Sequence, residues 1–352
     1  MPLKALILVG GFGTRLRPLT FSVPKPMVPL ANMPIVEHQV KALVAIGVKH
    51  VVLAVGYQSE AMAEFASGLS EKYGVDVTIS LEDTPLGTAG PLALAKEILA
   101  ADESPFFVLN SDVICDFPLA NMLQFHRSHS GSGTILVTTV KEPSKYGVVV
   151  ADSDGQIECF VEKPKEWVGD KINAGLYILD PCVLERIEER PMSIEREVFP
   201  QMAADEQLFR FVLPSFWMDI GQPHDYLKGQ RLFLSSQGEK RLVHPTAKVP
   251  ESACLGDNVV IGPNVVVGDN VRLRNCAIFE GSKVGAGALI DNAIVGWKCQ
   301  VGRWARLTDL VVLGKSVKVA EEVLLRNTRI APHKTIKQNE FDEAPLQRRD
   351  IM

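Results

Sequence analysis

Residues 10–26 read GGFGTRLRPLTFSVPKP, directly after the apolar run Ala5–Val9. Gly10, Gly11 and Gly13 allow a tight loop whose successive backbone N–H groups face an anion. Arg15 and Arg17 add guanidinium groups, which grip phosphate through two parallel hydrogen bonds. Lys25 stands between Pro24 and Pro26, a setting that predicts extended backbone and one fixed direction for the ammonium. A strand, a glycine turn, an arginine and a braced lysine make a grip for a nucleoside triphosphate. Two other phosphate motifs fail on spacing. Leu16 stands where G-x-G-x-x-G requires glycine, and no Gly-Lys pair followed by Ser or Thr comes after the turn.

Further chemistry-bearing residues fall at expected strand ends. Asp112 closes the run FFVLNSD, and Asp219 lies in FWMDIG. Two such carboxylates suit Mg2+, which keeps waters and takes one or two carboxylates plus substrate phosphates. A metal held there neutralises charge on a transferred phosphoryl group. Glu162-Lys163-Pro164 ends another strand. Lys163, expected extended before proline, suits the phosphate of a second substrate, and Glu162 suits sugar hydroxyls. Asn173-Ala174-Gly175 and Tyr146-Gly147 supply an amide and a close backbone approach for the same hydroxyls. Glu82 precedes a second glycine loop at 84–89 that leads into a helix. A carboxylate there accepts both the N1–H and the amine hydrogens of guanine, a pair that adenine and uracil do not present; Asp83 is the substitute. Taken singly, each residue has a plain alternative. Asp112 suits the cap of a helix near 118, Asp219 a turn, Glu162-Lys163 an exposed turn of mixed charge, and Glu82 a solvated strand end.

The elements that position these residues follow from apolar patterning. Runs at Ala5–Val9, Val51–Val55, Val75–Leu81 and Phe106–Leu109 read as buried parallel strands. Helical segments are expected between them at about 34–46, 59–70 and 88–100, the first opening on Pro34. This alternation predicts a doubly wound, mostly parallel α/β sheet with ligands at the carboxyl ends of its strands. Consecutive strands at about 133–140, 146–151, 156–161 and 172–179 predict an antiparallel extension. After about residue 242 apolar residues recur at every sixth position, from Val243 to Leu273, then from Ile278 to Ile290, then from Val295 to Leu325. Two one-residue slips separate the three series. The period is that of hexapeptide repeats wound into a parallel β-helix. The expected organisation is a catalytic, substrate-binding domain over 1–236, a hexapeptide β-helix over 243–331 and a polar tail over 332–352.

Composition narrows the function. The 352 residues carry 37 Lys and Arg against 42 Asp and Glu, a net charge of −5 that argues against a general nucleic-acid binder. Six scattered cysteines without a C-x-x-C pair predict reduced, mostly buried thiols. His126 and His129 are expected on a solvated helix face. No apolar run reaches a membrane span and the N-terminus has no leader pattern, so a cytoplasmic protein with no membrane partner is expected.

GGFGTRLRPLT, PKP, PLGTAG, LNSDVICDFP, SKYGVVV, VEKP, NAGLYIL and FWMDIGQP occur in this order ahead of the hexapeptide repeats. The set resembles the sugar-phosphate nucleotidyltransferases, and within them the mannose-1-phosphate guanylyltransferases (GDP-mannose pyrophosphorylases) of the catalytic, beta-type form. The resemblance covers nearly the whole chain and thins around 60–80, 235–242 and the tail. It implies a Rossmann-like catalytic domain followed by a left-handed β-helix. It also implies conversion of mannose 1-phosphate and GTP to GDP-mannose and pyrophosphate, with Mg2+. By the same resemblance Arg15, Lys25 and Lys163 are catalytic, and Asp112 and Asp219 bind the metal. Leu8, Gly10, Gly11, Gly13, Thr14, Glu82, Gly87, Asn110, Gly147, Glu162 and Asn173 line the substrates. Two alternatives are a transferase for another base or sugar and a regulatory subunit that senses nucleotide sugar without turnover. A homo-oligomer is expected, pairing also with an alpha-type regulatory subunit where one exists. An acyltransferase in the β-helix is disfavoured, because only His244 and His333 stand there as bases.

Overall fold

The computed structural model describes residues 2–11, 13–56, 60–341 and 350–351. The chain divides into two compact units, Met1–Gly11 with Val36–Trp217, and Phe12–Ile35 with Met218–Met352.

Among its described residues the first unit contains ten strands in chain order. They are β1 (Leu3–Leu8), β2 (Val48–Val55), β3 (Asp76–Leu81), β4 (Phe106–Asn110) and β5 (Val113–Cys115), then β6 (Gly133–Thr139), β7 (Gly147–Ala151), β8 (Ile157–Glu162), β9 (Lys171–Leu179) and β10 (Leu208–Val212). Among the described residues all but β5 form one nine-stranded sheet in the order β8-β7-β9-β4-β1-β2-β3, with β6 on β9 and β10 on β6. β1 is parallel to β2 and β4, and β2 to β3. β9 runs antiparallel to β4, β6 and β7, which is the expected antiparallel extension. Ala5, Leu6 and Ile7 are fully buried, as a strand covered on both faces requires. Leu6, Val52, Val108 and Tyr177 enter a core shared with Leu92 and Phe199.

The helices are α1 (Ile35–Ala45), α2 (Glu60–Tyr73), α3 (Gly90–Leu94), α4 (Lys96–Leu99), α5 (Leu119–His126), α6 (Phe199–Ala204) and, in the second unit, α7 (Pro223–Ser236). The helix expected over 88–100 is two short ones, broken at Ala95, where ψ rises to 9° and the Ile98 N–H donates to the Ala95 carbonyl. α5 is preceded by Pro118, so Asp112 caps no helix.

His126 corrects the expected solvated helix face, because it is only 4% exposed. His129 Nδ1 accepts from Gly131 N–H, so its Nε2 carries the proton and donates to Thr134 Oγ1 at 2.8 Å. Thr134 Oγ1 also lies 2.8 Å from His126 Nδ1, and His126 Nε2 lies 3.3 Å from Asp180 Oδ1. The bond accepted from Gly131 needs a neutral His129 ring. Burial, then the neighbouring His126, holds His129 down at about 4 against 6.5 for a free histidine, while Asp180 opposes. A depressed histidine favours the unfolded state once that state binds the proton. Stability is therefore complete above about pH 6.5 and falls as the pH drops to about 4. Urea midpoints across that window should decline, and His129→Gln should flatten the decline; an equal slope in the variant contradicts the assignment.

In the second unit, strands from Arg241–Val243 to Glu340–Phe341 stack in parallel ladders. Val259 lies opposite Cys276 and Val267 opposite Val284, whereas Gln300 lies opposite Lys318 and Val301 opposite Val319. One turn of the coil is thus three hexapeptides, shortened by one residue where the sequence slips. Ile261, Leu273, Ile290, Leu307 and Leu325 fill the interior. Residues 332–341, read from sequence as the start of a tail, carry two more strands, Thr335–Ile336 and Glu340–Phe341. The reason is burial: Ile336 is 8% exposed. Asn258, Asn275 and Asn292 turn corners at positive φ, which asparagine tolerates. Their amides form a ladder, Asn258 Nδ2 to Asn275 Oδ1 at 2.6 Å and Asn275 Nδ2 to Asn292 Oδ1 at 2.9 Å.

The same unit includes residues 12–35. Asn32 Nδ2 donates to Ile261 O at 3.0 Å, and the Tyr226 hydroxyl donates to Pro29 O. Arg329 Nη1 lies 3.4 Å from the carbonyls of Arg15 and Arg17. The six cysteines are free, but Cys159, Cys182 and Cys254 are exposed, so only half match the expected burial. Burial pushes the thiols of Cys115 and Cys299 up to about 12. Among the described residues no helix is long and apolar enough to cross a membrane.

Candidate active site

In the first unit the site residues stand where the central strands end. Leu8 is in register with Asn110 on one side and Ala54 on the other. Gly10 and Gly11 follow directly, and Ser111 N–H donates to Leu8 O at 3.1 Å, which ties the Asp112 turn to β1. This is where the strand order reverses, the usual ligand position in such sheets.

Asn110 points toward β9. A Cβ at Gly175 would stand 2.7 Å from Asn110 Nδ2, so glycine there makes room for the amide. Asn173 Nδ2 donates to the Tyr177 hydroxyl at 2.8 Å and its Oδ1 accepts from Gly175 N–H at 2.8 Å, which fixes the direction of that side chain. Burial pushes the Tyr177 hydroxyl well up and keeps it neutral. Trp217 Nε1 donates to Ala174 O at 2.9 Å, and its ring meets Tyr146 edge-on at 5.4 Å. Tyr177 and Trp217 were missed as supports, since the apolar pattern of β9 absorbs the tyrosine and the tryptophan is distant in sequence.

Gly147 and Glu162 face each other across β7 and β8. Lys163 Nζ pairs with Glu162 Oε1 at 3.1 Å, and its N–H donates to Tyr146 O at 3.0 Å. The expected extended backbone is wrong: Lys163 has φ +49°. The tie to Tyr146 overrides the local preference of a residue before proline. A non-glycine residue in that region stores strain, a feature concentrated at functional sites.

Glu82 is 7% exposed, and its Oε2 accepts from Leu86 N–H at 2.8 Å, closing the loop before Gly87. Gly87 bridges Met192 at φ +76°. Thr88 Oγ1 donates to Glu195 Oε2 at 2.6 Å, an acid that no local motif announced.

In the second unit Gly13, at φ +59°, permits the closest packing of the loop. A Cβ there would stand 3.0 Å from Thr20 Cγ2 and 3.1 Å from Lys25 Cβ. Thr20 Oγ1 donates to Gly13 O at 2.8 Å. Thr14 and Arg15 are exposed and open a short 3₁₀ turn. Lys25 also departs from expectation: it begins a 3₁₀ turn, Lys25–Met27, closed by Val28 N–H to Lys25 O at 3.1 Å. Pro24 alone is extended, and Pro26, near the start of the turn, has no N–H to lose. Arg17 stacks 4.7 Å from the Phe21 ring centre, so its guanidinium serves the loop's own packing. The Cβ position of Gly221 lies 3.5 Å from Asp219 Oδ1 and 3.6 Å from the Arg15 guanidinium, ordinary contact distances that put the acid and the arginine beside the same turn. Among the described residues no three His, Cys, Asp or Glu side chains form a metal cage. Asp112 in the first unit and Asp219 in the second are each half-buried oxygen donors, the ligand type of a hard cation that shares its shell with phosphate and water.

Residues 4–236 match the nucleotidyl transferase family model, and residues 238–345 match a model described as the GMPPB C-terminal domain. The chain is 53% identical to a mannose-1-phosphate guanyltransferase of Gibberella zeae, 52% to one of Hypocrea jecorina and 51% to mannose-1-phosphate guanylyltransferase 1 of Arabidopsis thaliana. Each match spans 96% of this chain and 98% of the relative. A solved Bacillus anthracis structure, assigned as a glucose-1-phosphate thymidylyltransferase, shares the fold at a TM-score of 0.60 and 21% identity, covering 65% of this chain and 94% of that one. The structure of HddC from Yersinia pseudotuberculosis matches with a TM-score of 0.55 and 27% identity over 66% of this chain and 99% of its own. The chain belongs to the nucleotidyl transferase family and, within it, to the mannose-1-phosphate guanylyltransferases.

Proposed function

We propose that this chain joins α-D-mannose 1-phosphate to GTP, giving GDP-mannose and pyrophosphate. The carrying observation is the loop, in which Gly13 seats Thr20 and Lys25 while Arg15 stands exposed near Gly221 and Asp219. A sugar-phosphate oxygen attacks the GTP α-phosphorus in line, so no protein nucleophile takes part. The chain supplies position and charge. Gly10, Gly11, Gly13, Thr14 and Arg15 hold the triphosphate, with Leu8 at the root of the loop and Lys25 beside the transferred phosphoryl. Lys163 steadies the sugar phosphate. Asn110, Gly147, Glu162 and Asn173 line the sugar, and Gly87 packs against the base. Glu82 selects it: Oε2 is engaged by Leu86, and Oε1 is the acceptor assigned to guanine. Asp112 and Asp219 would hold Mg2+, which when bound neutralises charge on the phosphoryl oxygens. The reading extends to a cytoplasmic homo-oligomer; the six free thiols fit a reducing compartment.

Pyrophosphate release with mannose 1-phosphate and Mg2+, run in parallel on GTP, ATP, UTP and dTTP, tests the proposal. Turnover with GTP should exceed the others by about 10²-fold or more, because a paired polar edge rejects analogues that leave it unpaired. Comparable turnover with UTP or dTTP would move the reading to another base.

A further inference from the structure

The turn that carries Asp112 is held from behind by one buried side chain. Gln39, on α1, has no exposed surface, and its Nε2 donates to two backbone carbonyls, Asn110 O at 2.8 Å and Val113 O at 3.0 Å. These are the last residue of β4 and the first of β5, so Ser111-Asp112 lies between them. A primary amide has two hydrogens, one for each carbonyl, and both strand ends are thereby fixed at one separation. Gln39 Oε1 is buried with no hydrogen-bond partner among the described residues. A leucine would fill the same space without that unpaired acceptor, so packing alone does not account for glutamine; the nitrogen does.

We propose that Gln39 is a positioning residue for Asp112, setting the angle from which its carboxylate meets the cation. The proposal rests on the assignment of Asp112 as a metal ligand. Few residues can replace the amide. Asparagine is one methylene short, leucine leaves both carbonyls unpaired, and an ionised glutamate sets oxygen against oxygen. Groups that orient a metal ligand typically change metal affinity by about 10–100-fold when removed.

The test is Mn2+ binding to the GTP-saturated full chain, read by water-proton relaxation with GTP alone as baseline, alongside the Mg2+ dependence of kcat. Gln39→Leu should weaken Mn2+ binding by about 10–100-fold and raise the half-saturating Mg2+ to match, with the KM for mannose 1-phosphate within about twofold. Val40→Ala, the buried neighbour on the same helix, should lower thermal stability with neither shift. Gln39→Glu keeps the shape, leaves at most one donor for two carbonyls and should shift metal binding in the same direction where the leucine variant is too unstable to purify. A Gln39→Leu or Gln39→Glu effect no larger than that of Val40→Ala, while Asp112→Ala abolishes Mn2+ binding, overturns the positioning role alone. Mn2+ binding that survives Asp112→Ala overturns the metal assignment and the positioning role with it.

Discussion

Asp112→Ala should lower kcat by about 10²–10³-fold, the range seen when one preorganised charge-stabilising group is removed from a transition state. The residue sits on a turn whose ends are fixed by the register of Leu8 with Asn110 and by Ser111 N–H on Leu8 O. The backbone that carries its carboxylate is therefore tied to β1, which would place the group before substrate arrives. The KM for GTP should change far less, because Arg15 and the glycine loop remain to bind the triphosphate. Steady-state kinetics separate the two parameters. A loss confined to KM would mean that Asp112 binds ground state and transition state alike.

Gly87→Ala should lower Tm by about 6–12 °C and raise the KM for GTP. A Cβ at Gly87 would stand 2.5 Å from the Met192 carbonyl oxygen, and φ is +76°. Left-handed strain alone contributes roughly 1–2 kcal/mol. The clash adds to it, since the atom struck is backbone held by three bonds: Thr88 and Ala89 N–H groups on Met192 O, and Met192 N–H on Leu86 O. A combined loss of about 3 kcal/mol corresponds to the stated shift in a domain of this size. Moving Met192 also moves Leu86, whose N–H Glu82 accepts, so the loop proposed to face the base should loosen. Gly47→Ala provides the control. Gly47 has φ +89° but no atom within 4 Å of its Cβ position, so it should show strain without collision. Equal Tm losses in the two variants would remove the clash from the account.

Much of this was legible in the sequence. All four parallel strands announced themselves as apolar runs, but only three are buried: β3, at the sheet edge, has no buried residue and Leu81 is 44% exposed, because one side of an edge strand faces water. Both one-residue slips of the coil reappear as shortened turns of the ladder, whereas a third shortened turn, which pairs Leu313 with Ile330, was not read from the repeat. The misses have physical causes. β5 is three residues long, too short to carry a period. Lys163 obeys a bond to Tyr146 in place of its own proline, and Lys25 obeys a turn closed by Val28. Gln39 sits in an ordinary amphipathic helix, and its partners lie more than seventy residues away. His126 looked like a surface residue because its partners, Thr134 and Asp180, come from β6 and from the residue after β9. Residues 12–35 group with the coil through Asn32 and Tyr226, contacts that no local pattern reveals.

The central claim is that the sugar phosphate itself attacks the α-phosphorus of GTP. The most direct measurement is 31P NMR of a reaction between GTP and mannose 1-phosphate carrying 18O in its phosphoryl group. The account predicts GDP-mannose and pyrophosphate in equal amounts, with all of the 18O in GDP-mannose and none in pyrophosphate. Label in pyrophosphate, or binding of GDP-mannose without any turnover, would contradict it.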